Sequence, residues 1–493
     1  MGKITVDMKK YILCVDQGTT STRSIVYDNF GNVVSSASKE ITQYYPHPGW
    51  VEHNPEEIYD SVIVTAVDAL TKADISIKEI EGIGITNQRE TTVVWDRSGA
   101  PVYNAIVWQC RRTAELCKSL EKQYGSEIYS KTGLKIDAYF SATKLKWILD
   151  NVVGARERAQ KGELLFGTID SYILYRLTGG KVHATDYTNA SRTMLYDIHN
   201  LRWDKSLLKI FDVPECMLPK VYPSSHEYGY ATEFRIPVLS MAGDQQASLF
   251  GHLCVGEGML KTTYGTGCFM LMNTGDKAIT SKNGLLTTLA ASISEKPQYA
   301  LEGSVFMGGA TVQWLRDELK IIDTAAQSEQ CALNVGDNGG VYLVPAFTGL
   351  GAPYWDGDAR AAIVGLTRGT GRDHIVRAAL EGIAYQVCDV AFAMEQDAGK
   401  KILSLEVDGG ATANDFLMQF QSDMLAAPVI RPENAEVTTL GVFYLSALKC
   451  GMFSSVAQLT ELTRRDDVFY PSANERKRVA LLEGWKTAVK RVR

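Results

Sequence analysis

Several signals that would assign this chain to a common class are missing from its 493 residues. No apolar run approaches the ~18 residues that a membrane-spanning helix needs. The first ten residues, MGKITVDMKK, are too polar for a signal peptide, and translation could start at Met1 or at Met8. The formal net charge of -6 argues against nucleic acid as the main partner, because no basic stripe could neutralise a phosphate backbone. We expect a cytoplasmic protein.

Signatures of metal sites and disulfides are also missing. The nine cysteines are scattered along the chain and none forms a C-x-x-C pair, which favours buried free thiols in a reducing compartment. The seven histidines are dispersed and no H-E-x-x-H occurs, so a zinc site is not expected. No G-x-x-x-x-G-K-[ST] run occurs either, which excludes a Walker A nucleotide site.

One segment near the N-terminus has the composition of a phosphate-binding turn. Residues 16–23, DQGTTSTR, lie between two apolar runs at 11–15 and 24–27, which predicts a strand, a tight turn and a second strand. Backbone N–H groups and hydroxyls could hold phosphate oxygens here, while Asp16 could face a magnesium ion. On its own, such a glycine- and threonine-rich turn indicates no more than a hairpin.

A second copy of this pattern changes its interpretation. Residues 261–272, KTTYGTGCFMLM, again place a Gly-Thr turn between two strand-like runs. Two such hairpins, one near the start of each half of the chain, predict two related lobes that face a shared ligand. We place the boundary near Leu253, which gives lobes at 1–252 and 253–493. Strands alternate with helices throughout, so the fold class is α/β.

Start and stop signals place several elements. Asn54 as N-cap, Pro55 at the first helical position and Glu57 three residues after the cap predict a helix that runs to about residue 70. The remaining helices are predicted at 141–151, from 247, at 373–395 and at 413–425. Strands are predicted at 82–86, 91–96, 101–108 and 402–407.

Polar residues follow several predicted strands, at the end where α/β folds collect their ligands. Arg89 and Glu90 follow the apolar strand at 82–86. Because a hydroxyl is both donor and acceptor, a polyol site needs donors like arginine beside acceptors like glutamate. An ion pair at the surface is the alternative interpretation. Asp244 also follows a strand and precedes a helix, so it is either a helix N-cap or the carboxylate that accepts the proton of an attacking hydroxyl.

Other residues could complete such a site. Tyr139 and Gln245 could bind further hydroxyls. Trp108 and Phe269 could pack against the carbon chain of the ligand, although aromatic residues in apolar strands more often belong to the hydrophobic core. Gly409 and Gly410 end the strand at 402–407 and would allow a flat ligand to approach the backbone closely. With Asn414, this turn could hold adenine or ribose. A glycine pair after a strand is usually only a turn.

Taken together, these segments resemble the FGGY carbohydrate kinases of the actin-like ATPase superfamily, over nearly the whole chain. Two family signatures are present: 139–151 (YFSATKLKWILDN), and the run from 361–366 (AAIVGL) through His374 to Glu381. Within the family, the best matches are to the glycerol kinases, at 84–91 (GITNQRET), 103–112 (YNAIVWQCRR) and 264–268 (YGTGC). The resemblance implies two actin-like (ribonuclease H-like) lobes with a catalytic cleft between them.

The resemblance also implies an activity and its residues. It implies ATP- and Mg²⁺-dependent phosphorylation of glycerol to sn-glycerol 3-phosphate in glycerol catabolism, by a homodimer or higher homo-oligomer without membrane insertion. Asp244 would be the general base, and Asp16 and Asp244 would lie at the metal. Glycerol would be held by Arg89, Glu90, Tyr139, Asp244 and Gln245 against Trp108 and Phe269. ATP would be held by Thr19, Thr20, Ser21, Arg23, Thr266, Gly309, Gln313, Gly410 and Asn414.

One stretch departs from the family pattern. Many bacterial relatives carry a glycine-, lysine- and arginine-rich loop for fructose 1,6-bisphosphate, or a phosphorylatable histidine. Residues 228–237, YGYATEFRIP, contain neither, and His226 stands just before them. We therefore predict that neither form of control operates. Two other functions stay open at this point: a kinase for another polyol or sugar such as xylulose or gluconate, and an actin-like ATP-binding assembly or regulatory protein without kinase activity.

Overall fold

The computed structural model describes residues 10–462 and 466–493, so the two candidate starts, Met1 and Met8, lie outside the described residues. The strands of residues 10–252 are β1 (Tyr11–Gln17), β2 (Ser21–Tyr27), β3 (Val33–Glu40), β4 (Glu52–His53), β5 (Ile80–Asn87), β6 (Val93–Asp96), β7 (Ala105–Ile106), β8 (Leu164–Gly167), β9 (Ala184–Asp186), β10 (Tyr196–Asp197), β11 (Arg202–Trp203), β12 (Lys220–Tyr222), β13 (Ser225–Ala231) and β14 (Ile236–Gly243). The helices are α1 (Pro55–Ala73), α2 (Ala114–Thr132), α3 (Ser141–Asn151), α4 (Ala155–Gln160), α5 (Ile169–Leu177), α6 (Tyr187–Ala190), α7 (Lys205–Phe211) and α8 (Asp244–Gly251).

The second half of the chain has the same alternation. Its strands are β15 (Leu260–Tyr264), β16 (Cys268–Gly275), β17 (Leu286–Leu289), β18 (Tyr299–Val305), β19 (Tyr342–Val344), β20 (Ala362–Val364), β21 (Leu405–Asp408), β22 (Val429–Pro432) and β23 (Asp466–Phe469). Its helices are α9 (Gly309–Asp317), α10 (Gln327–Leu333), α11 (Arg372–Ala398), α12 (Asp415–Leu425), α13 (Val437–Lys449), α14 (Val456–Thr460) and α15 (Glu475–Lys490). Short 3₁₀ turns lie at Ile77–Glu79, Glu215–Met217 and Gly410–Ala413.

Two mixed sheets with matching topology form the centres of two lobes. The first sheet has the order β13-β14-β5-β1-β2-β3, and the second has the order β17-β18-β16-β15-β21-β22-β23. In each, a hairpin (β1-β2 or β15-β16) pairs in parallel through its first strand with β5 or β21. That strand is in turn parallel to β14 or β22. The prediction of an α/β fold built from two related lobes is confirmed.

Helices cover both faces of the first sheet, which explains why β1 is apolar from Tyr11 to Val15. Successive side chains of a strand point to opposite faces. Leu13 and Val15 pack in a cluster with residues of α1, whereas Ile12 and Cys14 pack with residues of α13. Helix α13 thus belongs to the second half of the sequence but covers the sheet of the first.

Helices α8 and α13 cross at glycine. A Cβ on Gly441 would lie 1.9 Å from the carbonyl oxygen of Ala247, and a Cβ on Gly251 would lie 2.1 Å from that of Val437. A hydroxyl contact fixes α13 on the sheet nearby, where Ser240 Oγ donates to the carbonyl oxygen of Val442 at 2.9 Å. Because α8 also packs against strands of the second sheet, the crossing joins the two lobes.

Most predicted elements are present, with shifted ends. The side chain of Asn54 caps α1 by accepting from the N–H of Glu56, and α3 has the predicted bounds. Helix α11 is longer than predicted, and the helix predicted from 247 begins at Asp244. The strands predicted at 91–96 and 101–108 shrink to β6 and β7. β7 pairs along its length with the two-residue strand β4, and the two predicted segments meet at isolated bridges, Thr92 to Ile106 and Trp95 to Pro101.

The cysteines and the helices bear on two expectations from the composition: free thiols and the absence of a membrane-spanning segment. All nine cysteines are free; seven are buried, Cys450 is partly buried and Cys216 is exposed. None of the helices in 10–462 and 466–493 is long and apolar enough to cross a membrane.

Candidate active site

The carboxyl ends of three neighbouring parallel strands deliver the polar residues of the first lobe to one edge of its sheet. Gln17, at the end of β1, pairs with Asn87 at the end of β5, and Asn87 pairs with Gly243 at the end of β14. Arg89 and Glu90 follow β5, Asp244 follows β14, and Asp16 in β1 lies near enough to Asp244 for the two carboxylates to repel each other. The structure brings these predicted residues together at the strand ends.

Arg89 is a buried cation in contact with several carboxylates and a phenol. Its Nη1 donates to Glu302 Oε2 at 2.6 Å, and its Nε lies 3.2 Å from Asp244 Oδ1. Its Nη2 donates to the Tyr139 hydroxyl at 3.4 Å. Only 2% of Arg89 is exposed, so the alternative of a surface ion pair for Arg89 and Glu90 is wrong.

Glu90 is held by a second buried arginine. Arg192 Nε donates to Glu90 Oε1 at 2.6 Å. The backbone of Glu90 is left-handed, with φ of 61°, a conformation that is uncommon for non-glycine residues. Ser141 Oγ donates to its carbonyl oxygen at 3.0 Å and helps to fix this turn.

Asp244 is the first residue of α8, and Gly243 occupies the cap position. Its carboxylate accepts from the N–H of Gln245 at 2.7 Å. It does not cap the N–H groups deeper in the first turn, so the N-cap interpretation is not supported. The Asp244 side chain is 35% exposed to the cleft. Desolvation there raises its pKa, although Arg89 opposes the shift, and a raised pKa makes the carboxylate a better proton acceptor.

Asp16 shares this electrostatic environment. Desolvation, followed by repulsion from Asp244 and Glu436, raises the pKa of Asp16 to about 7. Two carboxylates that repel each other in a cleft favour a cation between them. Within 10–462 and 466–493, no group of three or more His, Cys, Asp or Glu side chains could hold a metal ion. The pair therefore suits Mg²⁺ that keeps water and phosphate oxygens as its other ligands.

Aromatic rings line the cleft beside these charges. The Trp108 ring lies 5.6 Å from that of Tyr139 and 6.5 Å from that of Phe269, with edge-to-face geometry in both pairs. Trp108 Nε1 donates to Thr19 Oγ1 at 2.9 Å, which links this wall to the first hairpin. Phe269 comes from β16, so both lobes contribute to the wall.

The sequence did not point to three buried charged residues at this site. Arg192 follows α6, Glu302 lies in β18, and Lys261 lies in β15. Lys261 Nζ donates to Gln245 Oε1 at 2.6 Å and to Thr263 Oγ1 at 2.8 Å, and desolvation lowers its pKa to about 8. A single charged residue within an otherwise uncharged strand, such as Glu302 in YALEGSV, is the sequence feature that could have identified these residues.

The first hairpin has the predicted tight turn. The N–H of Gly18 donates to the carbonyl oxygen of Ser21 at 2.9 Å. Thr19 and Ser21 are partly buried, whereas Thr20 is exposed. Arg23 is also exposed and forms an ion pair with Glu436, which directly precedes α13.

The second lobe contains a cavity of about 340 Å³ beside the second hairpin. It is lined by all five residues of this lobe that were predicted to contact ATP, namely Thr266, Gly309, Gln313, Gly410 and Asn414. Gly409 has a φ of 94°, and a Cβ there would lie 2.6 Å from the carbonyl oxygen of Tyr264. Only glycine allows this turn to pack against the hairpin. Asn414 caps α12 by accepting from the N–H of Leu417.

Comparison with known proteins assigns the family. Residues 11–251 match the N-terminal domain, and residues 260–450 the C-terminal domain, of the FGGY family of carbohydrate kinases. A protein named glycerol kinase from Caldanaerobacter subterraneus subsp. tengcongensis is 58% identical over 98% of this chain and 99% of its own. Glycerol kinase 2 from Thermotoga maritima is 58% identical over 98% of each chain.

Solved structures agree with this result. The crystal structure of Plasmodium falciparum glycerol kinase with ADP is 37% identical and superposes with a TM-score of 0.92 over 98% of both chains. A xylulose kinase from Lactobacillus acidophilus, 24% identical with a TM-score of 0.88 over 98% of this chain and 97% of its own, shares the fold. From its matched domains and its full-length relatives, the chain belongs to the FGGY family of carbohydrate kinases.

Proposed function

We propose that this protein transfers the terminal phosphate of ATP to glycerol and releases sn-glycerol 3-phosphate and ADP, as a step of glycerol catabolism. The observation that carries this proposal is the arrangement of Arg89 as donor beside Glu90 and Asp244 as acceptors, in one cleft between two hairpins. The names of the full-length relatives at 58% identity support the same substrate. Xylulose and gluconate kinases share the fold alone, at 24% identity.

Glycerol binding follows from the chemistry of this cleft. Each hydroxyl can donate to a carboxylate of Glu90 or Asp244 and accept from Arg89, so a small polyol can satisfy its hydrogen bonds at both ends. Tyr139 and Gln245 would supply further partners. The rings of Trp108 and Phe269 would pack against the carbon chain and exclude water, which matters because water would otherwise compete for the phosphate.

The reaction needs positioning and one proton acceptor. A glycerol hydroxyl oxygen attacks the terminal phosphorus of ATP, the bond from that phosphorus to the bridging oxygen breaks, and ADP leaves. Asp244 accepts the hydroxyl proton late in the reaction. Its raised pKa, caused by desolvation, suits that role.

The phosphate side uses both hairpins. Thr19, Thr20, Ser21 and Arg23 would contact the phosphates from the first lobe and Thr266 from the second. The cavity that contains Gly309, Gln313, Gly410 and Asn414 would hold the adenosine. Mg²⁺ would be held by Asp16 and Asp244 together with the phosphates, and it would neutralise charge that develops on the phosphate oxygens. ADP in the similar Plasmodium structure supports a nucleotide in this fold.

The organisation of the chain belongs to the same proposal. We divide it into an N-terminal lobe at 1–252, with the polyol site and the first hairpin, and a C-terminal lobe at 253–493, with the second hairpin and the adenosine site. The family matches at 11–251 and 260–450 support this division. The free cysteines support a reducing compartment such as the cytoplasm. A homodimer or higher homo-oligomer stays a prediction.

Product analysis tests this proposal. The protein is incubated with glycerol, ATP and Mg²⁺, ADP is quantified, and the product is oxidised by a dehydrogenase specific for sn-glycerol 3-phosphate. We expect one equivalent of that enantiomer for each ADP, and no ADP when glycerol is omitted. ATP binding without any ADP formation would instead favour an actin-like assembly or regulatory protein.

A further inference from the structure

We propose that Arg192 and Glu302 are positioning residues, which hold Arg89 and Glu90 in the orientation that binds glycerol through a buried chain of charges spanning both lobes. This inference rests on the proposed function and extends it to two residues that do not themselves reach the cleft. Both are fully buried.

The four charges alternate in sign along one chain of contacts. Glu90 Oε1 accepts from Arg192 Nε at 2.6 Å, and Arg192 Nη2 donates to Glu302 Oε1 at 2.7 Å. Glu302 Oε2 then accepts from Arg89 Nη1 at 2.6 Å. No side chain of the four is more than 2% exposed. Two positive and two negative charges cancel, which is the condition under which buried charges are tolerated.

The chain of charges joins residues that are distant in sequence. Glu90 follows β5, and Arg192 follows α6, both in the first lobe. Glu302 is at the centre of β18 in the second sheet. The orientation of the two glycerol-binding residues therefore depends on a side chain that the opposite lobe supplies.

Glu302 determines which edge of Arg89 faces the substrate. Its two carboxylate oxygens bind the two terminal nitrogens of Arg89, at 2.6 and 3.3 Å, which is the two-point pairing that arginine and carboxylates favour. The Nε edge is thereby directed toward Asp244, at 3.2 Å. Without Glu302, the guanidinium could turn its stronger two-nitrogen edge onto Asp244 and occupy the proposed base.

Arg192 orients the carboxylate of Glu90 in a similar way. It binds Oε1, so that Oε2 is the oxygen left to accept from a hydroxyl. The left-handed backbone of Glu90 is unfavourable for a residue with a side chain, and the Arg192 contact stabilises the side-chain position that this backbone requires. Burial alone would raise the pKa of Glu302, but Arg192 and Arg89 outweigh it and hold that pKa at about 2. Glu302 is therefore ionised at neutral pH, whereas burial raises the pKa of Glu90 despite the opposing effect of Arg89 and Arg192.

Two conservative variants test the inference. Arg192→Lys keeps the charge, but a single ammonium group cannot reproduce the two-nitrogen bridge between Glu90 and Glu302. Glu302→Asp shortens the carboxylate by one methylene and keeps its charge. For each, the KM for glycerol should rise by about tenfold or more, as expected when charge-assisted hydrogen bonds to a ligand are weakened. The KM for ATP should stay within about twofold, because the nucleotide cavity is a separate site.

The matched control is Arg112→Lys. Arg112 forms a buried ion pair of the same type, with Nη2 2.6 Å from Glu52 Oε1 and side-chain exposures of 0% and 4%, outside the network. Its replacement should lower the melting temperature as much as Arg192→Lys does and leave the KM for glycerol unchanged. The preference for glycerol over propane-1,2-diol, measured as a ratio of kcat/KM, should fall in the two network variants and persist in the control.

Every outcome decides the question. Wild-type protein that does not phosphorylate glycerol refutes the proposed function. Active wild type, with network variants whose KM for glycerol stays within twofold, overturns the positioning role alone. ADP-induced stabilisation reports whether each variant is folded. If neither network variant folds while Arg112→Lys does, the network is structural and the inference is likewise overturned.

Discussion

Replacement of Asp244 by asparagine tests the proposed base. Asparagine keeps the size of the side chain and a hydrogen-bonding oxygen near Arg89 Nε, now 3.2 Å from Asp244 Oδ1, but cannot accept a proton. A positioned general base contributes about 10²- to 10⁴-fold to a rate, so we expect kcat to fall by roughly 10³-fold. The KM for ATP should rise only through the metal, because Asp244 would hold Mg²⁺ with the phosphates whereas the adenosine cavity lies in the other lobe.

Stability gives the internal control for this variant. Desolvation raises the pKa of Asp244, which means that its charged form costs free energy in the folded protein at neutral pH. Asp244→Asn should therefore melt at the wild-type temperature or above it, and its low activity cannot be attributed to unfolding. The acid limb of the wild-type pH profile should also disappear from the residual rate.

The rate is measured as ADP release coupled to NADH oxidation at saturating glycerol and ATP. The melting temperatures of the variant and the wild type are measured in parallel. A kcat within about threefold of wild type, far short of the loss expected for a general base, would refute the assignment of Asp244.

Three further predictions concern the nucleotide turn, a buried carboxyl and regulation. Gly410→Ala adds a methyl group that has no atom within 4 Å, so the methyl group should extend into the cavity and raise the KM for ATP about tenfold without changing the melting temperature. Gly409→Ala should instead lower the melting temperature. An unchanged KM for ATP in Gly410→Ala would contradict the prediction. Burial, then repulsion from Asp186, raises the pKa of Asp170 from 3.8 to about 7, so its contribution to stability is present at low pH and lost as pH rises toward 7. In urea titrations, the free energy of unfolding of Asp170→Asn relative to that of the wild type should increase by about 2 to 3 kcal/mol from pH 5 to pH 8. If the difference between the two proteins does not change with pH, the raised pKa of Asp170 is contradicted. Fructose 1,6-bisphosphate at physiological concentration should not inhibit, because residues 228–237 lack the basic loop; measured inhibition would refute this.

The hairpins could be predicted because their signals are local. Each combines two strand-like runs with a Gly-Thr turn, and the turns close within a few residues, as at Gly18 and Ser21. The repeat predicts two related lobes, but it does not predict the order in which the other strands of each sheet pair. Asp244 could be placed at a strand end for the same local reason.

The charged layer beneath the site could not be predicted in this way. Glu302 contacts Arg89 across 213 positions of sequence, and no local pattern encodes such a contact. The crossing of α13 and α8 is equally non-local, because it depends on the close approach of Gly441 to Ala247. Element ends shifted for a related reason, since pairing partners such as β4 limit how far a strand extends.

Substrate preference tests the central claim most directly. The kcat/KM for ATP-dependent phosphorylation is measured with glycerol and with a panel that includes propane-1,2-diol, xylulose and gluconate. Glycerol should be the best substrate, because Arg89, Glu90 and Asp244 match the hydroxyls of a three-carbon polyol. A higher kcat/KM for xylulose, gluconate or another member of the panel would contradict it.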